Sequence, residues 1–197
     1  MQPLKIILAS KSPRRQELLW NIGIEFRLLI PEEDESYPEE MPARMVPAFL
    51  SEKKANAVAG FMKFDELIIA ADTIVLLGNR IFGKPSDAYN AKQMLQTLSG
   101  EMHEVITGVT LKTREKQITF SELTRVHFRK LTDEMIEYYV NKFQPFDKAG
   151  SYGVQDWIGY VGIEKVNGCF YNVMGLPMSR LVKELKQFGY DVTALQE

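Results

Sequence analysis

Residues 6–28, Ile6-Ile-Leu-Ala-Ser10-Lys-Ser-Pro-Arg-Arg15-Gln-Glu-Leu-Leu-Trp20-Asn-Ile-Gly-Ile-Glu25-Phe-Arg-Leu28, decide the fold class. Ile6-Ile-Leu-Ala9 is a short apolar run between Lys5 and Ser10, which predicts a buried strand. Ser12-Pro13 supplies an N-cap and a first-turn proline. Leu18, Leu19 and Ile22 then share one helical face, and Gly23 suits the helix end. Ile24, Phe26, Leu28 and Ile30 alternate as a half-buried strand does. The stretch reads strand, helix, strand.

Beyond it, residues 31–42 are rich in acid and proline and predict a loop. Pro47 opens a second helix with Leu50, Ala57 and Val58 inward. Leu67 to Leu77 reads as one strand region around Asp72, closed by a turn at Gly78-Asn79. Ser86 caps a helix with Ala88, Ala91, Leu95 and Leu98 on its apolar face, ended by Gly100. Residues 103–129 are rich in β-branched residues, and Thr132 caps a helix carrying Ile136, Tyr139, Val140 and Phe143. Asn167-Gly168, between Ile163–Val166 and Cys169–Tyr171, predicts a hairpin. Pro177 opens a last helix with Leu181, Leu185 and Phe188 inward and Gly189 at its end. Strands paired with helices at one end and hairpins in the middle predict a mixed α/β fold.

The 197 residues suit one domain, 1–197, without repeats or a linker. Lys and Arg number 24 against 26 Asp and Glu, so the net charge is −2 and general nucleic-acid binding is not expected. The one cysteine, Cys169, has no intrachain disulfide partner. With only His103 and His127 it makes no Cys₂His₂ or Cys₄ zinc site. Ser-His-Asp catalysis needs a single histidine and stays open on composition, although no G-x-S-x-G elbow supports it. No apolar run reaches the roughly 18–20 residues of a membrane span, and the run after Met1 is short for a signal peptide. The expectation is a cytoplasmic protein that binds no membrane.

Chemistry concentrates at a few places. Ser10-Lys11-Ser12-Pro13-Arg14-Arg15 puts three cations at a helix N-terminus, where positive charge is unfavourable by about 0.3–1 kcal/mol each. A bound anion reverses that sign, because backbone N–H groups and guanidinium forks both suit phosphate oxygens. A solvated surface turn is the alternative. Asp72 interrupts an apolar strand, where a carboxylate needs a cation, a hydrogen bond or a cleft. Glu32, Glu33, Asp34 and Glu35 read as a solvated acidic loop or as oxygen ligands for Mg²⁺. Lys54 on a helix and Lys84 in Gly83-Lys84-Pro85 are surface charges or anion contacts. Residues 147–155, Asp-Lys-Ala-Gly-Ser-Tyr-Gly-Val-Gln, combine two glycines with polar side chains, as backbone near a ligand does and as a plain loop also does. His103 and His127 lie in strand-like stretches and read as structural.

Together these segments resemble the Maf family of nucleoside triphosphate pyrophosphatases. The opening motif is Ile7 to Leu19. Ala71-Asp-Thr-Ile-Val75, Gly83-Lys-Pro85, Met94-Leu95 with Leu98-Ser-Gly100, His103 to Gly108, Asp147 to Gln155 and Tyr171 to Pro177 follow in the family's order. The resemblance implies a long mixed sheet flanked by helices, with two lobes around a central cleft. It implies hydrolysis of a nucleoside triphosphate, with a divalent cation (Mg²⁺ or Mn²⁺), to the monophosphate and pyrophosphate. Matched motif by motif, Asp72 is the implied proton acceptor. Arg14, Thr73 and Gln155 match positions associated with substrate choice. Ser10, Arg15, Lys54 and Lys84 match phosphate or nucleotide contacts, and Glu35 an acidic position near the metal.

The segment around Gln155 resembles the branch acting on dTTP and UTP. A glutamine amide offers both donor and acceptor to a pyrimidine edge. Asp156-Trp157 departs from the glycine and small apolar residue that often follow this glutamine. Trp157 therefore reads as a wall of the base pocket or as a core side chain. A homodimer accords with the resemblance. Two alternatives are a pyrophosphatase for modified nucleotides and a nucleotide-binding regulator of septum formation. Paired carboxylates favour catalysis, since phosphate binding alone gains nothing from negative charge without a metal. A carboxylate of ordinary basicity accepts protons poorly at neutral pH. A metal that acidifies water is the more physical route, and whether Asp72 is base or metal ligand stays open.

Overall fold

The structure is a computed structural model that describes residues 4–32 and 34–193. Met1, Gln2 and Pro3, at the start of the run read above as short for a signal peptide, and Glu33 of the acidic loop lie outside the described residues. The strands are β1 (Lys5–Ala9), β2 (Phe26–Leu28), β3 (Glu66–Leu77), β4 (Arg80–Phe82), β5 (Met102–Lys112), β6 (Gln117–Phe128) and β7 (Ile163–Asn167). They form one sheet in the order β2-β1-β3-β5-β6-β7, with β4 pairing to β3. β1 runs parallel to both β2 and β3, whereas β4 is antiparallel to β3 and β7 to β6. The sheet is therefore mixed. The helices are α1 (Pro13–Trp20), α2 (Val46–Ala59), α3 (Ala88–Leu98), α4 (Asp133–Phe143), α5 (Trp157–Gly162), α6 (Phe170–Met174) and α7 (Met178–Leu185). No described helix is long and apolar enough to cross a membrane.

The chain divides into two compact units. The first takes the chain up to Asp72, Thr107–Glu122 and the stretch from Gly175 onward; the second takes Thr73–Ile106 and Leu123–Met174. In the first unit, Ile7 and Ala9 of β1 stand in register with Ile68 and Ala70 of β3. These four residues share one sheet face because side chains alternate along a strand. Ala55 and Val58 of α2, with Met62 beyond it, complete a buried cluster on that face. The helix can sit this close because β5 has glycine beneath its first turn. A Cβ on Gly108 would lie 2.2 Å from the Pro47 carbonyl group. Burial is worth roughly 1.5–3 kcal/mol for a side chain the size of Ile68 or Val58, so α2 is firmly seated.

In the second unit, Leu95 and Leu98 of α3, Ile136, Tyr139 and Val140 of α4, and Val126 and Phe128 of β6 form one buried cluster with Val75, Phe82 and Tyr152. Thr132 caps α4, its hydroxyl accepting from the Met135 N–H, and Asp133 and Glu134 in the first turn complement the helix dipole. His103 is fully buried, with Nε2 2.6 Å from the Tyr152 hydroxyl. Burial pushes its pKa down to about 4, and the nearby charge of His127 adds to the shift. Both observations fit its structural reading.

Several local expectations need correction. Asp87, not Ser86, caps α3, accepting from the Asn90 N–H at 2.7 Å. Ala55 is the buried alanine of α2, while Ala57 is only half-buried. β2 is a three-residue edge strand with Leu28 exposed, so the alternation from Ile24 to Ile30 does not give a half-buried strand. Phe188 is half-buried and Tyr190 takes the inner place after α7. Asn167-Gly168 does not make a hairpin: β7 pairs back to β6, and residues 170–174 are helical. Gly168 is needed for close approach, since a Cβ there would lie 2.8 Å from Thr124 Oγ1. That hydroxyl accepts from the Cys169 N–H and donates to the Cys169 carbonyl.

Candidate active site

The expected anion-binding turn follows β1. α1 begins at Pro13 and ends with the Gly23 N–H on the Trp20 carbonyl and the Ile24 N–H on the Leu19 carbonyl, a Schellman pairing with Gly23 at positive φ. Ser12 occupies the N-cap position without a side-chain cap bond. Its N–H instead donates to Ser10 Oγ at 3.2 Å.

Arg15 turns inward and is almost fully buried. Nη1 donates to Ser10 Oγ at 3.1 Å and to the Ala71 carbonyl at 2.9 Å, and Nε donates to the Gly175 carbonyl at 2.8 Å. One guanidinium thus ties together the end of β1, the middle of β3 and the residue opening the last stretch of the chain. Burial lowers its pKa to about 10. The Asp72 charge opposes that shift, Arg14 adds to it, and Glu35 opposes it. Arg15 remains charged at neutral pH. Because all three neighbours register electrostatically at Arg15, Arg14, Asp72 and Glu35 gather around it.

Asp72 follows Ile68 and Ala70 in the alternation of β3, which turns it toward the face that carries α2. Lys54 on α2 meets it there. Lys54 Nζ lies 2.5 Å from Asp72 Oδ1 and 2.9 Å from Glu35 Oε1. The Lys54 and Asp72 side chains are nearly buried, and the Glu35 side chain is about half exposed. The preceding Lys53 holds the same acidic segment, pairing with Asp34 and donating to Ser36 Oγ at 3.2 Å. The acidic loop is anchored, at two successive lysines, and not merely solvated.

Two carboxylates from different elements therefore converge on one cationic point. Such a donor set suits Mg²⁺ or Mn²⁺, which bind through one or two carboxylates plus substrate phosphates. Among the described residues no group of three or more His, Cys, Asp or Glu side chains is placed to hold a metal. Substrate oxygens would have to complete the shell.

The structure brings Ser10, Arg14, Arg15, Glu35, Lys54 and Asp72 together within the first unit. Thr73, Lys84 and Gln155 belong to the second. Thr73 is half-buried and follows Asp72 on β3, on the opposite strand face. Lys84 is exposed after β4, and the Gly83 carbonyl beside it accepts from the Gly150 N–H at 3.0 Å. Gln155 holds its Oε1 buried without a hydrogen-bond partner. Trp157 opens α5 and packs edge-on against Tyr138 at 4.9 Å, alongside the core of that unit. The carbonyls of Ala71 and Gly175 escaped the sequence reading because backbone groups carry no residue signature. Gly175, at φ 111°, is the glycine of Met174-Gly-Leu-Pro177.

A family model described as Maf-like protein matches residues 5–188. A Parabacteroides distasonis protein named dTTP/UTP pyrophosphatase is 48% identical over 189 residues, covering 95% of this chain and 98% of its own. A Cytophaga hutchinsonii protein of the same name is 50% identical over 182 residues, covering 92% and 83%. Among solved structures, the Staphylococcus aureus Ham1 protein aligns over 63% of this chain and 71% of its own at 14% identity, with a TM-score of 0.42. The cationic turn, Asp72 with its lysine, and the glycine-bearing segment before Gln155 all fall inside the matched span, and the chain belongs to the Maf family.

Proposed function

We propose that this protein is a nucleoside triphosphate pyrophosphatase that hydrolyses dTTP and UTP to the monophosphate and pyrophosphate. The observation that carries the reading is the convergence of Asp72 and Glu35 on the Lys54 ammonium, beside the Arg14-Arg15 turn. The names of the Parabacteroides and Cytophaga relatives support the choice of substrate.

Hydrolysis of a phosphoanhydride needs an aligned water, neutralised phosphate charge and a stabilised leaving group. Asp72 would orient the water and receive its proton. Lys54 and Arg14 offset charge on the phosphates, with Ser10 and Lys84 as further contacts. Arg15 holds the strand that carries Asp72. A divalent ion held by Glu35 and Asp72 would lower the pKa of water and screen the polyphosphate. Gln155 would read the base, with Thr73 and Arg14 contributing to substrate choice. The single cysteine supports work in a reducing compartment, the cytoplasm.

The test is pyrophosphate release from dTTP, UTP, CTP and 7-methyl-GTP, measured separately with Mg²⁺, Mn²⁺ and EDTA. Metal-dependent release from dTTP and UTP is expected. Asp72→Asn should lower turnover by about 10³-fold or more with the fold intact. Nucleotide binding without pyrophosphate release would favour the regulatory reading instead.

A further inference from the structure

The segment carrying Gln155 is locked by contacts that none of the roles above uses. Residues 153–156 form a turn, with the Asp156 N–H donating to the Gly153 carbonyl at 3.1 Å. The Tyr139 hydroxyl on α4 serves both ends of that turn. It accepts from the Gly153 N–H at 3.1 Å and donates to Asp156 Oδ2 at 2.8 Å. Tyr139 has no freedom to follow a shifting loop, because it is fully buried and stacked on Phe143 with ring centres 5.2 Å apart.

Two further contacts close the lock. Lys148 Nζ lies 3.5 Å from the same Asp156 oxygen. A Cβ on Gly153 would come within 2.5 Å of that oxygen, so the carboxylate lies directly over the glycine. Asp156 and Trp157 together fasten this turn to α4: Asp156 through Tyr139, and Trp157 through Tyr138.

Gln155 sits inside the locked turn with Oε1 buried and unpartnered. A buried acceptor without a donor is unfavourable, so an N–H group brought to this oxygen would be stabilised there. Uracil and thymine carry an imide N–H between two carbonyls, whereas cytosine has a lone pair at that ring nitrogen. We propose that Tyr139 and Asp156 are positioning residues that hold the Gln155 amide as an acceptor for the imide N–H of a uracil or thymine base, and so disfavour cytosine. The proposal rests on the pyrophosphatase reading given above.

The experiment measures kcat and KM for UTP, dTTP and CTP on the full chain with Mg²⁺, for wild type and for Tyr139→Phe, Asp156→Ala and Asp156→Asn. Wild type should prefer UTP and dTTP to CTP. Tyr139→Phe and Asp156→Ala should shrink the UTP-to-CTP ratio of kcat/KM about tenfold, the size of one misplaced hydrogen bond, with the loss falling on KM for UTP. Asp156→Asn keeps an acceptor for the tyrosine hydroxyl and should restore most of the ratio. If Tyr139→Phe does not fold, Asp156→Ala, at the edge of the core, decides the matter. A ratio unmoved in a folded variant, or an equal fall in kcat for UTP and CTP, would overturn the proposal. Wild type that releases pyrophosphate from UTP and CTP alike would overturn it and leave the pyrophosphatase reading standing. Wild type that releases none from any nucleotide would overturn both.

Discussion

Arg15 Nη1 lies 2.9 Å from the carbonyl oxygen of Ala71, the residue immediately before Asp72. With its further bonds to Ser10 and to the Gly175 carbonyl, this guanidinium fixes the strand from which the Asp72 carboxylate projects. Lysine keeps the charge but cannot reproduce three directed bonds from a planar fork.

Arg15→Lys should therefore lower kcat by about ten- to a hundredfold, while KM for the nucleotide changes by only a few-fold. Stability should fall by roughly 2 kcal/mol, since buried acceptors lose a charged donor. Steady-state kinetics and thermal melts check both. A raised KM at unchanged kcat would instead make Arg15 a grip on phosphate.

Lys54 Nζ bridges Asp72 and Glu35, so a divalent ion held by the two carboxylates would compete with the lysine for that position. Lys54→Met should cost about 3 kcal/mol without metal, because it strips the partner from a nearly buried carboxylate. Added Mg²⁺ should then raise the melting temperature of the variant more than that of wild type, through binding to the native state alone. Equal shifts in the two proteins would show that lysine and metal do not share the position.

Acid should weaken the fold through His103. Its pKa of about 4 in the folded protein lies below the unfolded value near 6.5. Between those limits the unfolded chain binds a proton that the folded chain refuses. The stability contribution is complete above pH 6.5 and is lost as pH falls through 4, to a total of about 3 kcal/mol. Denaturant midpoints for wild type and His103→Gln from pH 7 to 4 should converge on acidification. Parallel curves would place the acid sensitivity elsewhere.

The parts of the fold legible in the sequence are those where burial is one-sided and strongly periodic. Ile6–Ala9 and Leu67–Leu77 read as buried strands because a parallel strand covered on both faces is continuously apolar. Asp72 was legible for the same reason, as the charge that interrupts such a run. Asn167-Gly168 misled because glycine at positive φ serves a turn and a tight contact equally well. Only the position of Thr124 distinguishes the two. Ser86 and Asp87 are both competent caps one residue apart, and local sequence does not rank them. Ala55 and Ala57 differ in burial, although their size and hydrophobicity are the same. The pairing of Lys54 with Glu35 was beyond sequence reasoning, since they stand 19 positions apart across helix and loop. Tyr139 looked like one more apolar residue on its helix, because its hydroxyl acquires meaning only opposite Gly153 and Asp156.

At Gly108 the strand backbone meets the first turn of α2 with no side chain between them. Main-chain geometry hardly varies from sequence to sequence, whereas side-chain volume varies at every substitution. The height of α2 above the sheet is therefore indexed to a fixed reference and not to the packing of Ile68, Ala55 or Val58. The core beneath the helix is free to drift over evolutionary time while the lysine two turns further along keeps its distance from the aspartate.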